Sequence, residues 1–472
     1  MNMPGSAAPI AKSPLAKPMP GATRAAVPPW QVVAGRGVFR PSGLHWLAEV
    51  QAAALNRLAD TGLPDTSHEA WRHTSLREYT QRWSEALERE AQAEPVSVLP
   101  VAAAASPPQP DVADHGPGQV VIDLVDGRLT RLPANLPDGL ELLSLRGLPA
   151  DRHDQAIALL GLHGEAAAPN PLVDLNTALL SDGLLIAVRK GPGELPTLHV
   201  RNHVGTAGSP VQGRILVDVG VGSRLTLLLE QDGVPQCLSN SVLQVRLGSD
   251  SHLDLVRVQA LPDDAQAIET NFIEVGAAAQ FGANSVDMGG GLSRQTLAVN
   301  LAGPGATAEV QGMFLADGRR HIDNQTTLVH RAPGTVSRET FLGIADDHGH
   351  GVFGGRVLVL AGAAGSNAAL TNRNLLLTAT AEIDTKPELE IYVDDVRCSH
   401  GATTGQLDAN ALFYLQSRGL DLREARRVLT VAFLRQGFSR IPDPELRDRL
   451  DALLEARLAR STAASLQLEA AQ

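Results

Sequence analysis

Rings are scarce in this chain: aromatic residues occupy 3% of its 472 positions. Few are left to stack nucleobases or to form platforms for sugars. Its two cysteines, Cys237 and Cys398, cannot build a disulfide framework and point to a reducing compartment. No apolar run approaches the roughly 18 residues that a membrane span requires. A formal net charge of -12 argues against a nucleic-acid or anionic-membrane partner. No phosphate loop of the form GxxxxGK[ST] occurs, so ATP hydrolysis is not expected of this chain. No acidic residue precedes Glu49. That bias is shared by organelle transit peptides, but Pro4, Pro9, Pro14, Pro18, Pro20, Pro28 and Pro29 forbid the amphipathic helix such a peptide forms. The expectation is a disordered leader over 1–41 and a cytoplasmic protein.

What the chain does have is a repeat. The pattern Gly-x-x-[Ser/Ala] begins at Gly220, Gly248, Gly276, Gly305, Gly334 and Gly365, in steps of 28, 28, 29, 29 and 31 residues. In five of the six, an apolar residue follows two places after the small one: Leu225, Leu253, Phe281, Val310 and Leu370. A fixed period of this size marks a stacked architecture in which each unit buries its inward face only when a neighbour covers it. Within a unit the period is two, as in Leu225-Thr226-Leu227 and Leu253-Asp254-Leu255, which is the strand signature rather than the helical one. Two or three short strands and their bends fit about 28 residues per turn of a parallel coil. Glycine at the corner permits backbone angles that other residues resist. A β-sandwich, whose strands recur every ~8–12 residues, gives no reason for a repeated four-residue signature.

The remainder divides around this coil. Apolar residues from Leu44 to Leu58 follow helical spacing, with Ser42 as a candidate N-cap and Gly62 as the stop. A second helix is expected from Arg82 to about Ala93. This gives an N-terminal helical domain over 42–94 and, from the Ala/Pro composition, a linker over 95–118. Asp126-Gly127 is a hairpin signal between two short strands, and 151–180 reads as partly helical. The β-helix core is expected over 119–400. Asp408, Asp421 and Asp443 then begin three helices, with Gly419 and Gly437 as stops. They form a compact C-terminal helical domain over 401–472.

The block from Thr385-Lys386-Pro387-Glu388-Leu389-Glu390-Ile391 to Asp394-Asp395-Val396-Arg397-Cys398-Ser399-His400-Gly401-Ala402-Thr403 resembles the SufD family. So do Asn374 to Leu377, Gly405 to Asp408, Ala411 to Gly419, Ser239-Asn240, Asp323-Asn324 with His330, Val352 to Gly355, and Glu69 to Thr74. The resemblance covers most of the chain. It implies a mainly β protein, a right-handed parallel β-helix flanked by helical domains, acting as a non-catalytic scaffold in SUF iron–sulfur cluster assembly. It also implies SufB as the partner at the end of the β-helix and the ATPase SufC at the C-terminal helices, with a homodimer in isolation. Reduced FAD and a nascent iron–sulfur cluster are implied for the complex as a whole. A SufB-type scaffold, the alternative within the superfamily, would carry a Glu-His-Glu cluster that is absent around Cys398–Gly401.

Cys398 and His400 stand at i and i+2, so a strand would turn them to one face, where thiolate and imidazole could share a soft metal. The resemblance places His400 at the SufB interface as a cluster-assembly residue and metal ligand. Against this, Cys398 could be a small buried apolar residue, and two ligands do not close a site. SufC docking falls, by the same resemblance, on the region of Leu407, Phe413, Tyr414 and Arg418, with Arg423, Arg426 and Arg427 as further candidates for pairing with acidic groups. His348 and His350 are expected in a solvated turn, Cys237 as a packed thiol, and Met288 to Gly291 as a β-bend rather than a phosphate cradle. A β-helix enzyme acting on polysaccharide remains as a reading from another class. It needs paired carboxylates on adjacent turns, for which Glu309 and Glu339 are the candidates.

Overall fold

The computed structural model describes residues 28–29, 44–92, 119–133, 135–163, 170–189, 195–438, 441 and 443–469. Most of the expected leader, the linker over 95–118 and Ser42 therefore lie outside the described residues. The coil is built from two strands per turn. Successive strands alternate between a ten-stranded and a nine-stranded sheet, and from Thr197 onward every pairing within a sheet is parallel. Most strands run ten residues, as in His321–His330 and His350–Val359. The architecture is the expected parallel β-solenoid, with helices at both ends of the chain.

The corner of each turn holds one residue in the left-handed region. These are Gly222, Asp250, Ala278, Gly305, Gly334 and Gly365, with φ between +53° and +74°. Each donates its backbone N–H along the stack, from Gly222 to Ser249 O at 2.9 Å through to Gly365 to Asp395 O at 2.7 Å. The motif glycine read from sequence is thus two different positions. In the last three repeats it is the left-handed residue itself, where glycine avoids the Cβ penalty. In the first three it stands two places earlier, and its role is space: a Cβ on Gly276 would meet Leu247 O at 2.6 Å. The true corner steps are 28, 28, 27, 29 and 31 residues.

Scarce rings are placed where they fill most volume. Phe281, Phe314, Phe341 and Phe353 are fully buried between the sheets. Gly312 pairs with Phe341 and Gly343 with Phe314 in register, and a Cβ at either glycine would stand 2.1 or 2.2 Å from the facing ring. Large and small side chains therefore interdigitate, as close packing demands.

The outer faces are covered differently. Leu58, Tyr79 and Trp83 from the N-terminal helices Ala48–Thr61 and Arg77–Gln92, with Trp71 from the short turn Glu69–Trp71 between them, pack with Leu238, Ile268 and Leu292 of the nine-stranded sheet. The second helix begins at Arg77, ahead of the expected Arg82, because Tyr79 is needed in that contact. Val431, Leu434, Leu450 and Leu454, from helices Leu422–Leu434 and Pro444–Glu469, cover Val256, Val286, Met313 and Leu342 of the ten-stranded sheet. The C-terminal helices thus pack on the solenoid as well as on each other. Alternate outward apolar residues of the strands need a cover, and these two helices supply it. The last strand, Val396–Gly405, also runs past the expected boundary at 400.

Candidate functional site

The two ends of the solenoid are built unlike each other. At the first end, short antiparallel strands close both sheets: Arg128–Arg131 pairs with Gln119–Val125, and Leu140–Ser144 with Leu184–Val188. Leu44, Leu47, Leu145, Leu148, Leu159 and Leu180 pack over that end in an apolar cluster. At the other end the outermost strands are Glu382–Ile391 and Val396–Gly405. Each is ten residues long and, among the described residues, has one paired edge and one free edge. Long free edges are templates for pairing with another chain.

Cys398 and His400 lie on that last strand, opposite Ala368 and Leu370. Both of those partners point into the core, so Cys398 and His400 share the inward side of a turn that no further turn covers. The same-face expectation holds. Cys398 is half-buried and packs on the core cluster. Burial pushes its thiol up from the ordinary value, so it is not a preformed thiolate ligand. His400 is exposed. Among the described residues the structure brings no third His, Cys or carboxylate to this pair.

Among the described residues, five of the eight exposed large apolar side chains fall between 391 and 422, namely Ile391, Tyr392, Phe413, Tyr414 and Leu422; Leu132, Ile157 and Val221 are the others. Helix Ala409–Ser417, capped by Asp408 Oδ1 on the N–H of Asn410, has no buried residue. Phe413 is 73% exposed, and the Arg418 guanidinium lies 5.2 Å from the Tyr414 ring. Leu407 is half-buried on the approach to this helix. Two of the arginine candidates are already engaged within the chain, Arg426 with the carbonyl of Leu377 and Arg427 with Glu424 at 2.7 Å.

Other candidates resolve as follows. Glu309 and Glu339 are not a catalytic pair: Glu339 stands opposite Val310, and Glu309 opposite Arg338. That one-residue offset turns the carboxylates to opposite faces. Glu309 is exposed, whereas Glu339 is buried and accepts from Thr326 Oγ1 at 2.5 Å. Burial pushes Glu339 up to about 7. Cys237 is fully buried in a small apolar cluster, its thiol pushed up to about 12 by burial. The Met288–Gly291 segment is a bend whose amides at Gly290 and Gly291 donate to Leu261 O and Ala265 O. They are spent on the fold, so the segment is the expected β-bend rather than a phosphate cradle.

One expectation is overturned. His348 is exposed, but His350 is not in a solvated turn. It opens the strand His350–Val359, half-buried, with Nε2 2.8 Å from Asp384 Oδ2 and Nδ1 3.1 Å from His321 Nδ1. His73, from the N-terminal helical segment, places Nδ1 2.9 Å from the same Asp384 oxygen. His321 Nε2 is 2.7 Å from Thr74 Oγ1, whose hydroxyl donates to Asp323, itself paired with Arg294. Burial lowers His321 to about 4. The signal available in sequence was the 29-residue interval between His321 and His350, which equals the repeat step.

These features define a parallel β-solenoid with one sealed end and one open end. The SUF system FeS cluster assembly, SufBD core domain matches residues 202–433. An iron-sulfur cluster assembly SufBD family protein of Synechocystis sp. is 30% identical over 335 residues, 68% of this chain and 74% of that protein. The iron-sulfur cluster assembly protein SufD of Escherichia coli is 27% identical over 86% of this chain and 91% of its own length. Protein ABCI7, chloroplastic, of Arabidopsis thaliana is 29% identical over 70% of this chain and 71% of its own. The chain belongs to the SufBD family of SUF-system iron–sulfur cluster assembly proteins, and its likeness within that family is to SufD. Among the described residues no helix is long and apolar enough to cross a membrane.

Proposed function

We propose that this chain is a SufD-type, non-catalytic scaffold subunit of a cytoplasmic SUF complex. It pairs with SufB through the open end of the solenoid and with the ATPase SufC through helix Ala409–Ser417. The observation that carries the reading is the contrast between ends. A ten-residue free edge on each sheet, with His400 on the uncovered inward side, suits continuation by a second solenoid of the same kind. Free helix faces bearing Phe413 and Tyr414 suit a separate apolar partner surface. His400 then stands at the seam, where an imidazole can take part in holding the nascent cluster, and half-buried Cys398 lies two residues away on the same side. The cluster is cargo; ATP hydrolysis belongs to SufC.

Co-expression with SufB and SufC, followed by mass measurement of the purified assembly, tests the partners. His400→Ala should abolish cluster absorbance in that assembly while leaving its mass unchanged. Normal cluster yield in the variant removes His400 from the reading, and absence of any assembly removes the reading itself.

A further inference from the structure

On the nine-stranded sheet, groups from separate elements converge on one oxygen of Asp384, which lies on the outermost strand Glu382–Ile391. His73 Nδ1 and His350 Nε2 lie 2.9 and 2.8 Å from Asp384 Oδ2. Glu382 stands directly opposite His350 in register. The ligand atoms of His350, Glu382 and Asp384 all lie within 4.8 Å of one another. Two strands of the nine-stranded sheet and the N-terminal segment contribute independently, so no single loop explains the cluster.

The surrounding hydrogen bonds orient the cluster. The Thr74 hydroxyl has one proton, and it goes to Asp323, so Nε2 of His321 donates to the Thr74 oxygen. The Nδ1 atoms of His321 and His350 then share one proton, and Nε2 of His350 faces Asp384 Oδ2, where a proton or a metal ion can stand. The nearest cationic side chain along the strand, Lys386, is held by Glu69 and Glu388 at 2.6 and 2.9 Å.

We propose that His350, Glu382 and Asp384 bind one divalent first-row transition-metal ion, with His73 held on Asp384 beside them. One imidazole and two carboxylates are a donor set suited to Zn²⁺, Fe²⁺ or Co²⁺, with positions left open. Ligand atoms about 2.1 Å from such an ion stand roughly 3 Å apart, close to the spacing already present at Asp384. His321 is the outer partner that fixes the ring orientation and tautomer of His350. The site uses no residue of the last strand Val396–Gly405, so it is separate from His400.

The test uses the full-length chain, freed of metal by chelation and titrated with Co²⁺ alone, read by calorimetry and visible absorption. One equivalent should bind. The Kd should rise at least tenfold in both Glu382→Gln and Asp384→Asn, and stay unchanged in His400→Ala. Glu382 is exposed, so its variant decides the matter even if Asp384→Asn fails to fold. Binding of less than one equivalent, a rise of under tenfold in a folded variant, or loss of the ion in His400→Ala overturns the proposal.

Discussion

The sealed and open ends of this solenoid start from the same backbone and finish differently. Near the sealed end, Arg214 is fully buried and donates to Asn176 Oδ1, Gln244 Oε1 and Thr177 Oγ1 at 2.9, 2.6 and 2.7 Å. It ties helix Pro171–Leu179 to the nine-stranded sheet. At the open end the final strand keeps most of its side chains exposed. The comparison teaches that stacking alone stabilises each interior turn, whereas an end needs either a cap from its own chain or a partner.

The largest expected effect lies in the shared interior. Phe314 fills the space above Gly343 and Gly351. Phe314→Ala should cost about 4 kcal/mol, measured by denaturant unfolding; a loss below about 1 kcal/mol would show that the turns stack without needing the Phe–Gly fit. Arg214→Ala should cost about 3 kcal/mol, because it strands three buried polar partners. A neutral result would mean that the sealed end is not held by this lock.

Glu339 sharpens the comparison through pH. Its folded-state value is raised to about 7 by burial, above the usual 4.5. The native state thus keeps a proton that the unfolded chain has released between those values. Stability is whole below about pH 4.5 and falls as pH rises through 7, by up to about 3 kcal/mol. Glu339→Gln should flatten that slope, and an unchanged profile in the variant would assign the slope to other groups. The smallest effect on stability belongs to the open end. Phe413→Ala should change unfolding by less than about 0.5 kcal/mol yet weaken SufC capture. A large stability loss would show that this helix is part of the core.

Much of the fold was legible in sequence. The near-constant step and the period-two alternation specified stacked strands, and Asp408, Asp421 and Asp443 cap their helices as read. What failed was phase: Gly276 and Gly305 look like one motif position but occupy corners two residues apart. Space at one and backbone angle at the other both select glycine, and a sequence pattern cannot tell the two demands apart. Glu309 and Glu339 failed for the same reason, since a one-residue error in register exchanges the faces of a strand.

Local chemistry written along the chain determined the coil, its caps and the small residues at its corners, because each depends on neighbours a few positions away. Only the tertiary structure decided which end stays open, that two C-terminal helices fold back over the ten-stranded sheet, and that His73, His350 and Asp384 meet. Those outcomes depend on groups up to hundreds of residues apart, whose contact exists only after the turns have stacked in register.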